Sequence, residues 1–477
     1  MPEQDTSGVI RTLGVTESVC PECLRRIPAE RVADGDNIFL CKHCPDHGAF
    51  RTILWRGLSS YETWAETKLV PSRPPQCANA SSLGCPFDCG LCSEHRQHTC
   101  CVVLEVTQRC NLQCPVCFAS ADSAPKKDPS IDEIQSWCIT LLKNGGPYNI
   151  QLSGGEPTLR DDLPEIVALM RACGFNFVQL NTNGLRLAQD RDYVRRLKDA
   201  GLGCVFLQFD GLSEASHRMI RGRDLRSIKD AAIRNCGEHE LGVVLVPTLV
   251  PGVNNEEIGG IIRAALEYAP TVRAVHFQPV SYFGRYPAPP RDCDRITLPE
   301  VMQAIERQTS GAFRMKDFYP ASGENAFCEF HGKFWLRAGG KIEAAARPAS
   351  PCCAPPINLV QLGMRQDGGG EGARRARRFV AEHWSLPHQQ QDSEATQEMD
   401  VSSFDAFLAE GRQSFCISGM AFQDAWNLDL QRLKECFLHV LSPDQKMVPL
   451  CAYNLTGIDG QTLYRSPSGE RTNGARL

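Results

Sequence analysis

Cysteines in fixed local spacings constrain this chain more than any other feature. There are 24 in 477 residues. Ten lie between Cys20 and Cys101, three at Cys110, Cys114 and Cys117, and six between Cys328 and Cys451. The opening MPEQDTSGVIRTLGV has no apolar stretch followed by a cleavage site, so a cytoplasmic protein is expected. Structural disulfides are rare in that compartment, and metal ligation is the expected use of the thiols. No run reaches the roughly 18 apolar residues of a membrane helix. The 51 basic and 56 acidic side chains leave a net charge of -5, so no nucleic-acid partner is expected.

The middle of the chain alternates strand and helix signals. CVVLEVT (101–107), YNIQLSGG, FVQLNTNG, CVFLQFDG, VVLVPTLV and RAVHFQPV read as six apolar strands. Helical periodicities such as IDEIQSWCITLLKN (131–144) and EEIGGIIRAALEYA separate them. This pattern predicts an α/β fold, a helix-covered parallel sheet closing into a partial (β/α)6 barrel, with ligands at the C-terminal strand ends. Cys138, Cys173, Cys204 and Cys236 fall in these elements and read as small core hydrophobes. The expected divisions are an N-terminal module (1–70), a short cysteine segment (71–100), the barrel (101–290) and a C-terminal region (291–477). Within the last, the Gly and Gln runs of 363–400 read as a mobile insertion holding a short basic helix. Its RRARR is expected to be a solvated face.

Three cysteine motifs carry chemistry. Cys110-Asn-Leu-Gln-Cys114-Pro-Val-Cys117 directly follows the first strand. Three thiolates on such a loop can bind three corners of a [4Fe–4S] cubane and leave one iron open; from spacing alone a zinc knuckle or redox loop is the other reading. A second C-x3-C-x2-C, Cys85, Cys89 and Cys92, lies upstream of that strand. It reads as an auxiliary [4Fe–4S] site, or a zinc site, with Cys77, His95, Cys100 and Cys101 as possible fourth ligands. Cys20-x2-Cys23 and Cys41-x2-Cys44 form a four-thiolate set for zinc or iron, with His43 and His47 expected to cap or pack.

Further motifs end the strands: Gly154-Gly155-Glu156-Pro157 the second, Asn181-Thr182-Asn183-Gly184 the third, and Gln208-Phe209-Asp210-Gly211 the fourth. With the cluster loop, they make residues 100–290 resemble the radical S-adenosylmethionine (SAM) enzymes. The resemblance implies that Gly154, Gly155 and Glu156 receive the SAM amino group. It places Asn183, Gln208 and Asp210 near the ribose or carboxylate, which Arg221 and Arg223 are suited to neutralise. That family often has an aromatic residue before its last cluster cysteine; here Val116 takes the place.

GCPFDCGLC, LVPGVN, FQDAWNLDLQRLKEC and VPLCAYN extend the resemblance to the group containing archaeal tetraether lipid synthase and dihydropterin methylase. This group implies a rubredoxin-like mononuclear iron, preferred over zinc, at Cys20, Cys23, Cys41 and Cys44. It also implies a third [4Fe–4S] cluster, for which Cys328, Cys416, Cys436 and Cys451 are the candidates; Cys352 and Cys353 are left out. The implied activity is reductive cleavage of SAM to a 5′-deoxyadenosyl radical and carbon–carbon bond formation at an unactivated carbon. A small-molecule substrate undergoing methylation or alkylation is preferred to coupling of lipid alkyl chains, with a flavodoxin or ferredoxin-type reductant. A peptide-modifying maturase is a further alternative, weakened because no recognisable precursor-binding domain precedes the barrel. The Gly-Gly-Glu-Pro strand end and the open cluster loop argue against a non-enzymatic iron–sulfur or zinc protein.

Overall fold

Two sheets organise the chain. The computed structural model describes residues 10–66, 72–77, 81–121, 127–320, 323–337, 340–345, 368–386 and 413–465. The first sheet is an antiparallel ribbon of β1 (Arg11–Val19), β2 (Arg26–Asp34), β3 (Asn37–Cys44) and β4 (Gly48–Arg56), joined in that order. Burial alternates along part of each strand, as a sheet with one covered face requires.

The six apolar strands form where the sequence places them: β5 (Cys101–Thr107), β6 (Asn149–Gly154), β7 (Val178–Thr182), β8 (Cys204–Gln208), β9 (Gly242–Val246) and, after the two-residue β10 (Thr248–Leu249), β11 (Val272–Pro279). They pair in parallel in the order β5-β6-β7-β8-β9-β11. Ile150, Leu152, Val178, Leu180, Val205, Leu207, Val243 and Leu245 face outward into the core shared with the covering helices. Cys138, Cys204 and Cys236 are buried, and Cys173 packs against the main core.

The C-terminal region is woven into this sheet. After β12 (Tyr319–Pro320), β13 (Glu329–Leu336) and β14 (Ile342–Ala344), strand β15 (Gln413–Met420) adds in parallel beside β11. Strand β16 (Leu438–Leu441) adds in parallel at the opposite edge, beside β5, and β17 (Met447–Pro449) pairs antiparallel with β16. Eight parallel strands therefore form the barrel wall. The two edges that six strands would expose to further pairing are covered by one C-terminal segment.

The helix Gly368–Trp384 refines one expectation: Arg374 and Arg378 of RRARR are exposed, but Arg377 docks on the barrel. The Arg377 carbonyl accepts from Asn149 Nδ2 at 3.1 Å, and its guanidinium donates to the Thr99 carbonyl at 2.9 Å. The His383 carbonyl accepts from Arg273 Nε at 3.3 Å. All these partners lie at the N-terminal ends of strands, so the helix lies across the bottom of the barrel. Phe379, Val380 and Trp384 pack there on Phe206, Val244 and Ala274. The remainder of 363–400 lies outside the described residues.

Ion pairs lock the C-terminal segment to both sheets. Asp429 binds Arg31 of the ribbon at 2.6 Å. The buried Lys42 ammonium donates to Ser18 Oγ, the Val19 carbonyl and the Ala425 carbonyl at 3.0, 2.8 and 2.7 Å. Asp424, fully buried, takes a bidentate pair from Arg295, both contacts at 2.9 Å, and a bond from the Tyr282 N–H at 3.0 Å. Arg295→Met leaves that carboxylate buried without its cation, which costs about 3–5 kcal/mol. A markedly lower anaerobic unfolding midpoint is expected; a midpoint equal to that of the parent would refute this role.

Candidate active site and metal centres

The cluster loop is fixed by backbone before any side chain contributes. After β5, Gly155 N–H donates to the Thr107 carbonyl and Glu156 N–H to the Arg109 carbonyl, both at 2.8 Å. A Cβ on Gly154 would stand 2.0 Å from Thr107 O, and one on Gly155 2.1 Å from Arg109 O. Gly154 also has φ +123°, which L side chains rarely adopt. The glycines thus let the second strand's end lie directly on the loop that carries Cys110.

Glu156 is held closely. Its carboxylate accepts from Thr158 N–H at 3.1 Å, Thr158 Oγ1 at 2.6 Å, Thr182 Oγ1 at 2.7 Å and Asn183 N–H at 2.7 Å. Only 1% of the residue is exposed. This side chain straps β6 to β7. Asn183 carries the strap onward: its Nδ2 donates to Asn111 Oδ1 of the cluster loop at 2.8 Å, and its carbonyl accepts from Lys229 Nζ at 2.5 Å. Burial pulls the Lys229 ammonium down to about 8.

Asp210, at the end of β8, forms a bidentate pair with Arg221, both contacts at 2.7 Å, and both residues are buried. Burial opposes the Arg221 charge, but the Asp210 carboxylate offsets this and holds the guanidinium above its ordinary range. The Arg221 charge also acts on Cys114, against the rise that burial gives its thiol. Arg223 is exposed. Gln208 Oε1 is buried without a partner, which leaves it free to bind a ligand.

Cys114 is buried, and Cys110 and Cys117 half-buried, beside Leu112, Leu185 and Leu225. A two-way backbone bridge, 2.9 Å in each direction, ties Cys117 to Arg285 after β11, and Arg285 Nε donates to the Cys114 carbonyl at 2.8 Å. Burial pushes the Cys110 thiol up to about 12. A metal centre's positive charge is what would hold such a thiol as thiolate near neutral pH. Val116 sits at the edge of an apolar cluster containing Tyr282, Trp426 and Tyr453.

The second motif is folded by Asp88, whose Oδ2 accepts from the N–H groups of Ser82 (2.7 Å), Leu83 and Gly84 (3.1 Å). Cys85 and Cys89 Sγ are 3.9 Å apart, and both couple electrostatically to Cys92. The expected fourth ligands do not join them. Cys77 is exposed, and His95 is buried on the Cys436 carbonyl at 2.8 Å. Cys100 packs on Met420 and Phe437, and Cys101 begins β5. Tyr464 stands there instead, its hydroxyl donating to the Pro86 carbonyl at 2.6 Å and accepting from Cys89 N–H at 2.9 Å. No local spacing in the sequence marks Tyr464.

The ribbon site corrects the ligand set. Cys20, Cys23, Cys44 and His47 place their ligand atoms within 4.8 Å of one another. His47 Nδ1 is 3.6 Å from Cys20 Sγ and 3.4 Å from Cys44 Sγ. Cys41 is three residues before Cys44 on the same strand, so it points to the opposite face, beside Arg51. The second turn of the site is thus Cys44-Pro-Asp-His47, and the geometry makes His47, not Cys41, the fourth candidate ligand. A Cys3His set suits structural zinc, whereas a rubredoxin-like iron needs four thiolates.

At the C-terminal site, Cys328 Sγ accepts from Arg432 Nε at 2.9 Å, and Arg432 also donates to the Ala421 carbonyl. Two residues beyond Ala421, Gln423 N–H donates to Cys451 Sγ at 3.3 Å. Cys436 couples electrostatically to Cys451 and Cys328. Cys416 does not join them. It lies on β15 opposite Ala274, in the apolar cluster with Phe206 and Trp384, about 16 Å along the strand from Ala421. Cys352 and Cys353 lie outside the described residues.

A three-thiolate loop at the C-terminal rim of a parallel barrel, stitched to a glycine pair and flanked by polar strand ends, defines a radical iron–sulfur enzyme site. A family model described as "Radical SAM superfamily" matches residues 104–265, and one described as "HMPTM N-terminal zinc ribbon domain" matches residues 12–56. The chain is 34% identical to 7,8-dihydro-6-hydroxymethylpterin dimethyltransferase of Methanocaldococcus jannaschii, over 96% of this chain and 95% of that protein. It is 38% identical to Fe-coproporphyrin III synthase of Methanosarcina barkeri, over 35% of this chain and 44% of that protein. A structure of Streptococcus suis SuiB bound to S-adenosylmethionine aligns with a TM-score of 0.36 and 14% identity, over 45% of this chain and 48% of that one. The chain belongs to the radical SAM superfamily, in the family that includes the M. jannaschii dimethyltransferase.

The ribbon ligand set has a direct check. His47→Ala should remove one zinc per chain, measured by metal analysis of natively purified protein, and Cys41→Ala should not. The reverse pattern would restore the four-thiolate site.

Proposed function

We propose that the chain methylates a carbon of a pterin-like heterocycle by radical chemistry. The observation that carries this is the near end-to-end match to a pterin dimethyltransferase. The inner face of the barrel supports it. Gln151, Ser153, Gln179, Asn181 and Gln208 alternate with the outward apolar residues of β6, β7 and β8. Gln179 Nε2 donates to Gln151 Oε1 at 2.7 Å, and Gln179 Oε1 and Gln208 Oε1 are buried without partners. Such amides match the alternating donors and acceptors of a pterin edge, whereas an alkyl chain would leave them unpaired. That favours the heterocycle over lipid-chain coupling.

In this reading Cys110, Cys114 and Cys117 hold the [4Fe–4S] cluster that, with SAM, supplies a hydrogen-abstracting radical. The backbone of Gly154 and Gly155, with Asn183 and Asp210, forms the SAM rim, and Gln208 at the end of β8 stands at its border with the substrate; Asp210 acts by orienting Arg221. Cys85, Cys89 and Cys92 hold an auxiliary cluster, and Cys328, Cys436 and Cys451 a third. A flavodoxin or ferredoxin-type protein delivers electrons, and the cytoplasm is the expected setting.

Cys114→Ala should abolish formation of 5′-deoxyadenosine from SAM and lower the iron content by one cluster; retained cleavage would remove the loop from this role. For the reaction itself, the anaerobically reconstituted enzyme is given excess SAM, a one-electron reductant, a one-carbon donor and 7,8-dihydro-6-hydroxymethylpterin deuterated at its carbon-bound positions. Deuterium should enter 5′-deoxyadenosine and the product should gain methyl mass. A product that has only lost two hydrogens, or gained sulfur, would reject carbon–carbon bond formation. SAM cleavage that the pterin does not accelerate would reject this substrate.

A further inference from the structure

The C-terminal thiol group has three members once Cys416 is removed, and one buried carboxylate beside it has no explained use. Glu324 is 2% exposed, and its Oε1 has no hydrogen-bond partner. It lies four residues before Cys328. Its neighbour Asn325 donates to Glu435 at 2.7 Å, and Glu435 directly precedes Cys436. That side-chain bond sets the segment carrying Glu324 and Cys328 alongside the one carrying Cys436.

We propose that the Glu324 carboxylate is the fourth protein ligand of a [4Fe–4S] cluster held by Cys328, Cys436 and Cys451. The assignment rests on the reading that these three thiols hold a cluster. Three observations carry it further. A buried carboxylate oxygen with no donor is costly unless a cation faces it. Arg432 is the nearby buried guanidinium, and its hydrogen bonds go to Cys328 Sγ and the Ala421 carbonyl. Glu324 lies close enough to Cys328, Cys436 and Cys451 for its charge to act on all three thiols.

Cys100 packs instead against Met420 and Phe437. An oxygen ligand on one iron would make this cluster chemically distinct from an all-thiolate cubane.

The test uses full-length, anaerobically reconstituted protein and compares Cys436→Ser, Glu324→Ala and Glu324→Cys by iron and sulfide analysis, EPR and potentiometry. Cys436→Ser should lose iron equivalent to one cluster. Glu324→Ala should lose part of that iron and show a stronger three-iron EPR signal after mild oxidation. Glu324→Cys should keep full iron and shift one cluster's reduction potential to a more negative value, which also keeps the proposal testable if the alanine variant fails to fold. Iron loss in Cys436→Ser alongside unchanged iron, EPR signal and potential in the Glu324 variants would overturn the Glu324 assignment alone. Unchanged iron in Cys436→Ser would overturn the cluster beneath it as well.

Discussion

The contact on which the site depends is a pair of backbone hydrogen bonds between the glycine turn after β6 and the loop after β5. A Cβ on either glycine would stand about 2 Å from a loop carbonyl oxygen. That approach puts the Cys110 loop on the end of a rigid strand rather than on a free excursion of chain. The buried Glu156 then ties the turn to β7, and Asn183 ties β7 back to Asn111 in the loop. The loop is thereby fixed by the two adjoining strands before a cluster binds, which is the preorganisation a one-electron site needs to hold its partner at a fixed distance.

The remaining charges do their work at junctions. Asp424 with Arg295, Asp429 with Arg31 and Glu105 with Arg465 each join residues more than a hundred positions apart, and the first two pairs include a buried carboxylate. Buried pairs contribute little net stability against an apolar alternative, but they penalise every arrangement that leaves one partner alone. Here they specify where residues 413–465 lie across an open sheet. The same stretch supplies β15, β16, Cys436, Cys451 and Tyr464. Edge closure, the C-terminal thiol group and the contact to Cys89 therefore depend on one docking geometry.

How much the sequence reveals follows from the range of the interactions involved. The six barrel strands are legible because each is a continuous apolar run, and the rim motifs because they end those runs. The three-thiolate loops are legible because their ligands lie within eight residues. Spacing misleads where it ignores strand alternation: Cys41 and Cys44 look like a metal-binding pair, yet they occupy opposite faces of β3, and His47 takes the vacant direction from the following turn. Cys416 fails for a related reason. The resemblance makes it a candidate ligand, but β15 carries it into the inner wall with Phe206 and Trp384. Tyr464 has no local signature, because its partners Pro86 and Cys89 lie more than 370 positions away.

The bottom helix shows why a compositionally loose segment can still have a defined place. Composition marks 363–400 as an insertion, because its Gly and Gln runs carry little core signal. Yet the strands leave donors and acceptors at their N-terminal ends, such as Asn149 Nδ2, the Thr99 carbonyl and the Arg273 guanidinium. A helix whose carbonyls and arginines meet those groups, while Phe379 and Trp384 fill the opening, closes the end of the barrel opposite the cluster loop. A radical formed above would be quenched by bulk solvent, so that closure belongs to the chemistry as much as to the fold. The polar inner wall sits between this plug and the cluster loop. It can therefore present unpaired amides to a substrate without presenting them to bulk water.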